Sequence, residues 1–376
     1  MFLKLLLGVF ALGHLARISI FDSKVNFYIY EFLLLAFVIY LVIKFWLKPL
    51  LKTRKWIYYF VGSLVLSYLV SFPSYHGVEN IFAGLYLLRV ISYFLFFLYI
   101  QHYLKNRNGK EYTASIKLFS GLLVILSFAQ YFLYPNLRNL YYLGWDPHQF
   151  RVFGTYFESS VAAAIFGLTG FYLYFSSLFK QRIKQLILLA ISILAALTYS
   201  RGFFLALSLT LTFYLVKREL YKQIAFLITV LIALYFVLPK PFGEGVNLLR
   251  TSTIEARLVD YQEGIRVWQK NPIFGIGYNH LPSIKQSKNL SSEIPDHSLS
   301  AFHSSFITIL AASGIFGLIA FFGLLIYFAR VSEVALLMTI FLSIFSLTDN
   351  ILLQPFVLFL YLYLMIGEIS LSRKLR

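Results

Sequence analysis

His303 opens one of the last apolar runs of the chain, and at helical spacing its face continues through Ile307, Leu310, Gly314, Gly317 and Phe321. The two glycines predict close helix packing on that side, as small residues allow in membrane helices. His303 is therefore expected to point at a neighbouring helix or a cavity near one membrane boundary. Two readings stand: an interfacial histidine bonded to a carbonyl, or an imidazole available to take a proton. Arg201 occupies Ser200-Arg201-Gly202, the whole connection between two short apolar runs, and either snorkels to water or faces a polar cavity suited to an anion. Arg89 falls mid-run, where a charge costs on the order of 3 kcal/mol, so a partner or a water-filled cavity must face it. The sequence names no partner, since Glu79 lies at another depth and face. Arg151 precedes Gly154-Thr155-Tyr156-Phe157-Glu158, and both charged residues taken alone read as interfacial anchors.

The five Asp are widely separated, and no Asp-x-Asp or His-x-x-x-His spacing occurs, so a metal site is unsupported and no cofactor is expected. Sugar-nucleotide chemistry with bound magnesium is disfavoured for the same reason. What remains is several Arg and a membrane-edge His. Arg suits an anionic phosphate because its planar fork donates paired hydrogen bonds and stays charged. A neutral imidazole can take the proton of an attacking hydroxyl, help worth about 10²- to 10⁴-fold. Together these are the groups that displacement of a lipid pyrophosphate requires.

The elements that must hold these residues follow from composition. Across 376 residues, 59% are hydrophobic and 13% charged, which excludes an ordinary soluble protein. Mean hydropathy is +0.75. The reading is an all-α polytopic membrane protein, residues 1–376 forming a single integral membrane domain. Apolar runs at 2–19, 27–46, 56–72, 80–104, 114–134, 159–179, 183–199, 202–216, 221–238, 303–329, 331–348 and 351–370 predict about 12 transmembrane helices. The first, with Lys4 inside and Arg17 outside, faintly imitates a signal peptide but is read as a span. A net charge of +17 would suggest nucleic acid in a soluble protein. Here the cations recur between apolar runs, so no nucleic-acid partner is expected and the lipid bilayer explains them. With both termini cytoplasmic, interior segments hold 20 of the 33 cations, while the short exterior loops hold only Arg17, Lys24, Arg138, Arg151 and Arg201. There is no Cys, which removes disulfides and thiolate chemistry.

Residues 239–302 form the one long exterior (periplasmic) loop, between the ninth and tenth spans. Ser252 and Glu255 make a capping box, and Ile254, Leu258, Tyr261, Ile265 and Trp268 repeat at helical spacing until Asn271-Pro272, predicting an amphipathic helix over 253–270. On that wheel Tyr261, Gly264 and Trp268 lie to the Arg257 side, so Arg257 faces the protein and Arg266 faces water. Gly275-Ile276-Gly277 reads as a tight turn returning the chain to the membrane surface.

In order along the chain, Thr198-Tyr199-Ser200-Arg201-Gly202, Arg257 through Trp268 to Asn271-Pro272-Ile273-Phe274-Gly275-Ile276-Gly277-Tyr278, and His303-Ser304-Ser305-Phe306 through Ser313-Gly314-Ile315-Phe316-Gly317 resemble the O-antigen ligase and O-antigen polymerase superfamily. The resemblance covers about residues 145–330; the first five spans are similar only in general character. It implies a glycosyltransferase of the bacterial plasma (inner) membrane that moves a glycan from an undecaprenyl-pyrophosphate-linked donor to a glycan or lipid-linked acceptor at the external face. It also implies roles: Arg201 and Arg257 bind the diphosphate, and His303 is the base. Arg89, Arg151, Glu158 and Tyr261 are further candidates for cavity or substrate contact. The family commonly has Asn after that His, where this chain has Ser304. The rival reading is a multi-span transporter or a lipid-linked oligosaccharide flippase, which predicts internal repeats and interrupted helices near the midplane.

Overall fold

A backbone in hydrocarbon must satisfy its own hydrogen bonds, and the apolar runs accordingly coil. The computed structural model describes residues 1–21, 25–46, 48–50, 54–105, 109–143, 145, 148–239, 246, 252–288 and 301–372. Helices α2 (Ile29–Phe45), α3 (Lys55–Ser71), α4 (Gly77–Lys105) and α5 (Lys110–Leu133) are followed by α6 (Ser159–Phe175), α7 (Gln181–Ala196), α8 (Arg201–Lys217) and α9 (Tyr221–Val237). Next come α10 (Ser252–Lys270) and the short α11 (Leu281–Lys288), then α12 (Ser305–Ala329), α13 (Glu333–Thr348) and α14 (Pro355–Ser372). By length and composition, Lys55–Ser74, Gly77–Leu104, Lys110–Leu133 and Ser305–Ala329 can each cross a membrane. Shorter apolar helices include Ser159–Phe175, Tyr221–Leu234, Glu333–Thr348 and Pro355–Ser370.

The N-terminus departs from the expected span over 2–19. Helix α1 is Phe2–Phe10, only 9 residues, too short alone for a hydrocarbon core of roughly 30 Å. A 3-10 turn over Gly13–Ala16 and an antiparallel hairpin follow, β1 (Arg17–Ile20) on β2 (Val25–Tyr28), with Arg17 opposite Tyr28. Gly13 supplies the stop: its φ is +51°, and a Cβ there would collide with the Thr155 carbonyl. An apolar run measures length, not the point where a neighbouring loop ends the helix.

Around α14 sits the aromatic core. Phe356, Phe359 and Tyr363 are fully buried and meet Tyr28, Tyr93, Phe96 and Tyr112. The polar tips of these rings find partners, as in Tyr112 Oη to the Tyr363 carbonyl at 3.0 Å.

α12 is broken in its middle. Gly314 has φ +64° and ψ −165°, which only glycine adopts freely. The carbonyls freed by the break are taken up by other segments. Ile276 and Gly277 N–H groups donate to Ala311 and Ala312 carbonyls at 3.0 Å each, and Ser67 Oγ donates to Ala312 at 2.7 Å. In return, the Ile315 N–H donates to the Pro272 carbonyl at 3.0 Å. The Asn271–Gly277 motif is thus threaded into the interrupted helix. Gly275 and Gly314 permit it, since a Cβ on either would strike the backbone of Ala312 or Ile273. Gly314, expected to serve side-by-side helix packing, instead makes a backbone break.

Candidate active site

At the C-terminal turn of α13 the motifs meet. Gly202, in the first turn of α8, lies so close to Thr348 and Phe345 that a Cβ would collide with both side chains. From α10, Tyr261 Oη reaches the Leu347 carbonyl at 2.5 Å and the His303 carbonyl at 3.2 Å. Where α12 begins, Ser304 Oγ donates to the Ser346 carbonyl and Ser305 Oγ to Asn350 Oδ1, both at 3.0 Å. Residues 345–350 thereby join the segments carrying Arg201, Arg257 and His303, which are more than a hundred positions apart from first to last.

Arg201 is the first residue of α8, half-buried, behind the Ser200 cap whose Oγ accepts the Phe203 N–H at 3.4 Å. Tyr199 turns the chain into that cap at φ +51°, a strained value for a ring-bearing residue and of the kind that persists where surroundings enforce it. Those surroundings include Arg151. Its buried guanidinium donates through Nε to the Thr198 carbonyl at 2.8 Å, and the next N–H, Val152, bonds Leu197 at 2.9 Å. Arg151 therefore braces the loop that presents Arg201. Glu158 is half-buried at the start of α6 and accepts Ser160 Oγ at 2.5 Å.

α10 runs Ser252–Lys270, close to the expected 253–270; the Ser252 side chain of the expected capping box lies outside the described residues. Arg257 is half-buried and Arg266 exposed, in line with the wheel. The apolar stripe fits less well, because Ile254, Leu258 and Ile265 are 51%, 55% and 41% exposed while Gly264 and Val267 are buried. Gly264 explains the rotation. Without a side chain it lets α10 close onto Ile307 and Phe302, so the packed face is set by nearest approach rather than by hydrophobic average.

His303 lies two residues before α12, outside the helix it was expected to open, and is held by Asp260 of α10. Asp260 Oδ2 accepts the His303 backbone N–H at 2.6 Å and lies 3.0 Å from its Nδ1. The hydrogen bond that the imidazole makes to Asp260 raises its pKa above the ordinary value; burial opposes this, Asp349 and the Asp260 charge add to it, and Arg257 lowers it. Arg257 thus lies within electrostatic reach of His303.

Arg89 is placed elsewhere, against Glu31 of α2. Its Nε lies 2.8 Å from Glu31 Oε1 and Nη2 is 3.1 Å from Oε2, while further contacts include the Asn26 carbonyl and the faces of Phe27, Tyr28 and Tyr86. This is the partner that the sequence did not name. Both ends of the pair are almost wholly buried, and Tyr93 also bonds Glu31.

Two polar positions that the structure places in these contacts escaped the sequence reading. Asp260 stands three residues after Arg257 and four before Gly264, on the same helical face, which the wheel could have revealed. His280 follows the Gly277 turn, is buried, stacks at 4.0 Å on Tyr75 and bonds Asn80 Oδ1 through Nε2 at 3.0 Å. Asn80 Nδ2 donates to Phe72 and Tyr75 carbonyls, so its oxygen is the acceptor and His280 Nε2 carries the hydrogen. Burial lowers the His280 pKa, which keeps the ring neutral as a bolt between the threaded loop and the α3–α4 corner.

Fold and site define an apolar, membrane-type helical protein in which the segments carrying Arg201, Arg257 and His303 converge on the end of α13. Residues 186–322, from α7 into α12, match the family model described as O-antigen ligase, so this part of the chain is similar to that family. The matched segment contains Arg201, Arg257, Asp260, His280 and His303. No curated protein matches the chain.

Proposed function

We propose that the chain is an inner-membrane glycosyltransferase that moves a glycan from undecaprenyl pyrophosphate to an acceptor hydroxyl at the external face, acting as an O-antigen ligase or polymerase with both termini in the cytoplasm. The observation that carries this is the meeting at the α13 terminus of three sequence-distant motifs, each of them carried by the segment that matches the O-antigen ligase family. In this reading Arg201 and Arg257 hold the diphosphate and stabilise the charge that grows on it as the glycosidic bond breaks. His303 takes the proton of the attacking hydroxyl. Arg151 and Tyr261 position the loop and the helix, and Glu158 is carried as a further candidate substrate contact. No metal is invoked.

The transporter or flippase alternative draws on one observation, the interruption of α12 at Gly314. There, however, the carbonyls of Ala311 and Ala312 are taken by Ile276, Gly277 and Ser67, so the break serves to dock the exterior segment rather than an ion.

Deletion followed by analysis of surface glycan tests the proposal. Free lipid-linked polymer is expected of a lost ligase, and single repeat units on the acceptor of a lost polymerase. Unaltered surface glycan would refute the transferase reading.

A further inference from the structure

The Asp260 carboxylate is divided between two partners from two other segments. Oδ2 takes the backbone N–H and the Nδ1 side of His303, and Oδ1 accepts Lys285 Nζ of α11 at 3.0 Å. Lys285, itself buried, also donates to the Ala301 carbonyl at 2.8 Å and lies 4.2 Å from the centre of the Phe302 ring, so it grips the strand of chain leading into His303. Burial works against ionisation of Asp260, but the bonds from His303 and Lys285 outweigh it and hold the pKa below the usual carboxylate value. An ionised carboxylate can only accept, so the hydrogen between Oδ2 and Nδ1 belongs to the imidazole. In the neutral ring the lone pair then sits on Nε2, on the far side of the ring from Asp260.

We infer that Asp260 is a positioning residue for His303, fixing the Nδ1–H tautomer so that Nε2 presents its lone pair to the acceptor hydroxyl, with Lys285 holding the carboxylate in register. This rests on the reading of His303 as the base. As the acceptor oxygen bonds the anomeric carbon, the bond to the diphosphate oxygen breaks and its electron pair leaves with the phosphate. The hydroxyl proton passes to Nε2, and the resulting imidazolium lies against the Asp260 carboxylate.

The groups that set this titration are Asp260 and Arg257 from α10 and Asp349 at the end of α13, while Lys285 from α11 bonds the Asp260 carboxylate and Tyr261 the His303 carbonyl. Since the neutral ring is the active form, transfer is complete above the raised His303 pKa and is lost as pH falls through it. The test uses the full chain in lipid nanodiscs with 15N-labelled histidine, His303 being assigned by its absence in His303→Ala. Wild type is expected to show the Nδ1–H tautomer and a pKa above the free value near 6.5. Asp260→Asn should mix the tautomers, lower that pKa, move the acidic limb of transfer to lower pH and reduce the plateau rate by at least about 10-fold, with Asp260→Glu restoring part of it. Lys285→Met should move the pKa the opposite way, because the carboxylate then acts on the imidazole undivided, and this variant carries the test alone if Asp260→Asn fails to fold. An unchanged tautomer and limb in folded Asp260→Asn, or a downward or absent shift in Lys285→Met, would overturn the inference. Retained transfer in His303→Ala would instead remove the base reading, and the tautomer measurement would still decide the role of Asp260.

Discussion

Tyr261 Oη lies 2.5 Å from the Leu347 carbonyl, tying helix α10 to the last turn of α13. That turn also abuts Gly202 and takes the Ser304 hydroxyl, so one short stretch of backbone fixes the mutual placement of the Ser-Arg-Gly motif, the Arg257 helix and the His303 segment. The face of α10 turned toward this junction decides which of its cations can act.

Arg257 and Arg266 are accordingly unequal. Arg257→Lys should lower transfer by at least about 10-fold, since losing the bidentate fork forfeits a charge-assisted bond of about 1.5–3 kcal/mol. Arg266→Lys, on the exposed side, should stay within about 2-fold of wild type. Initial rates of the two purified variants measure this, and equal losses would contradict the placement of α10.

Threading of the Asn271–Gly277 segment into α12 makes a stability prediction. Gly275→Ala meets the backbone of Ala312 at φ +72°, and is expected to cost about 2–5 kcal/mol from strain and overpacking together. Gly62→Ala in α3 has nothing within 4 Å of the new methyl and should be neutral or slightly stabilising. Thermal unfolding in detergent compares them; a Gly275→Ala melting curve like that of wild type would mean that the loop is not held by the break.

Much of this arrangement was legible in the sequence, and the misses have physical causes. Apolar runs located α2 to α9 and α12 to α14, because hydrocarbon leaves a backbone few alternatives to coiling. They could not locate the end of α1, which Gly13 and the Thr155 carbonyl impose from outside, nor the break at Gly314, where hydropathy is uniform and only φ changes. Arg201, Arg257 and His303 could be put forward from the sequence because their motifs are local. Asp260 and Glu31 were not, since each acquires its meaning from a partner 43 or 58 positions away.

The Arg89–Glu31 pair carries its own prediction. Removing one charge from a buried pair leaves the other uncompensated, so Arg89→Met should destabilise by about 3–5 kcal/mol, whereas Arg89→Met with Glu31→Met should recover most of that loss. Transfer per folded molecule is expected to survive in the double variant. A folded double variant without activity would show that Arg89 meets substrate rather than only Glu31.

The most direct measurement is glycan transfer by purified His303→Ala in liposomes prepared from the host's own lipid-linked glycan, alongside wild type and with folding verified by melting temperature. The account predicts a folded protein that forms no transferred product, because the imidazole held by Asp260 is the group that takes the acceptor's proton. Product formed at the wild-type rate would contradict it.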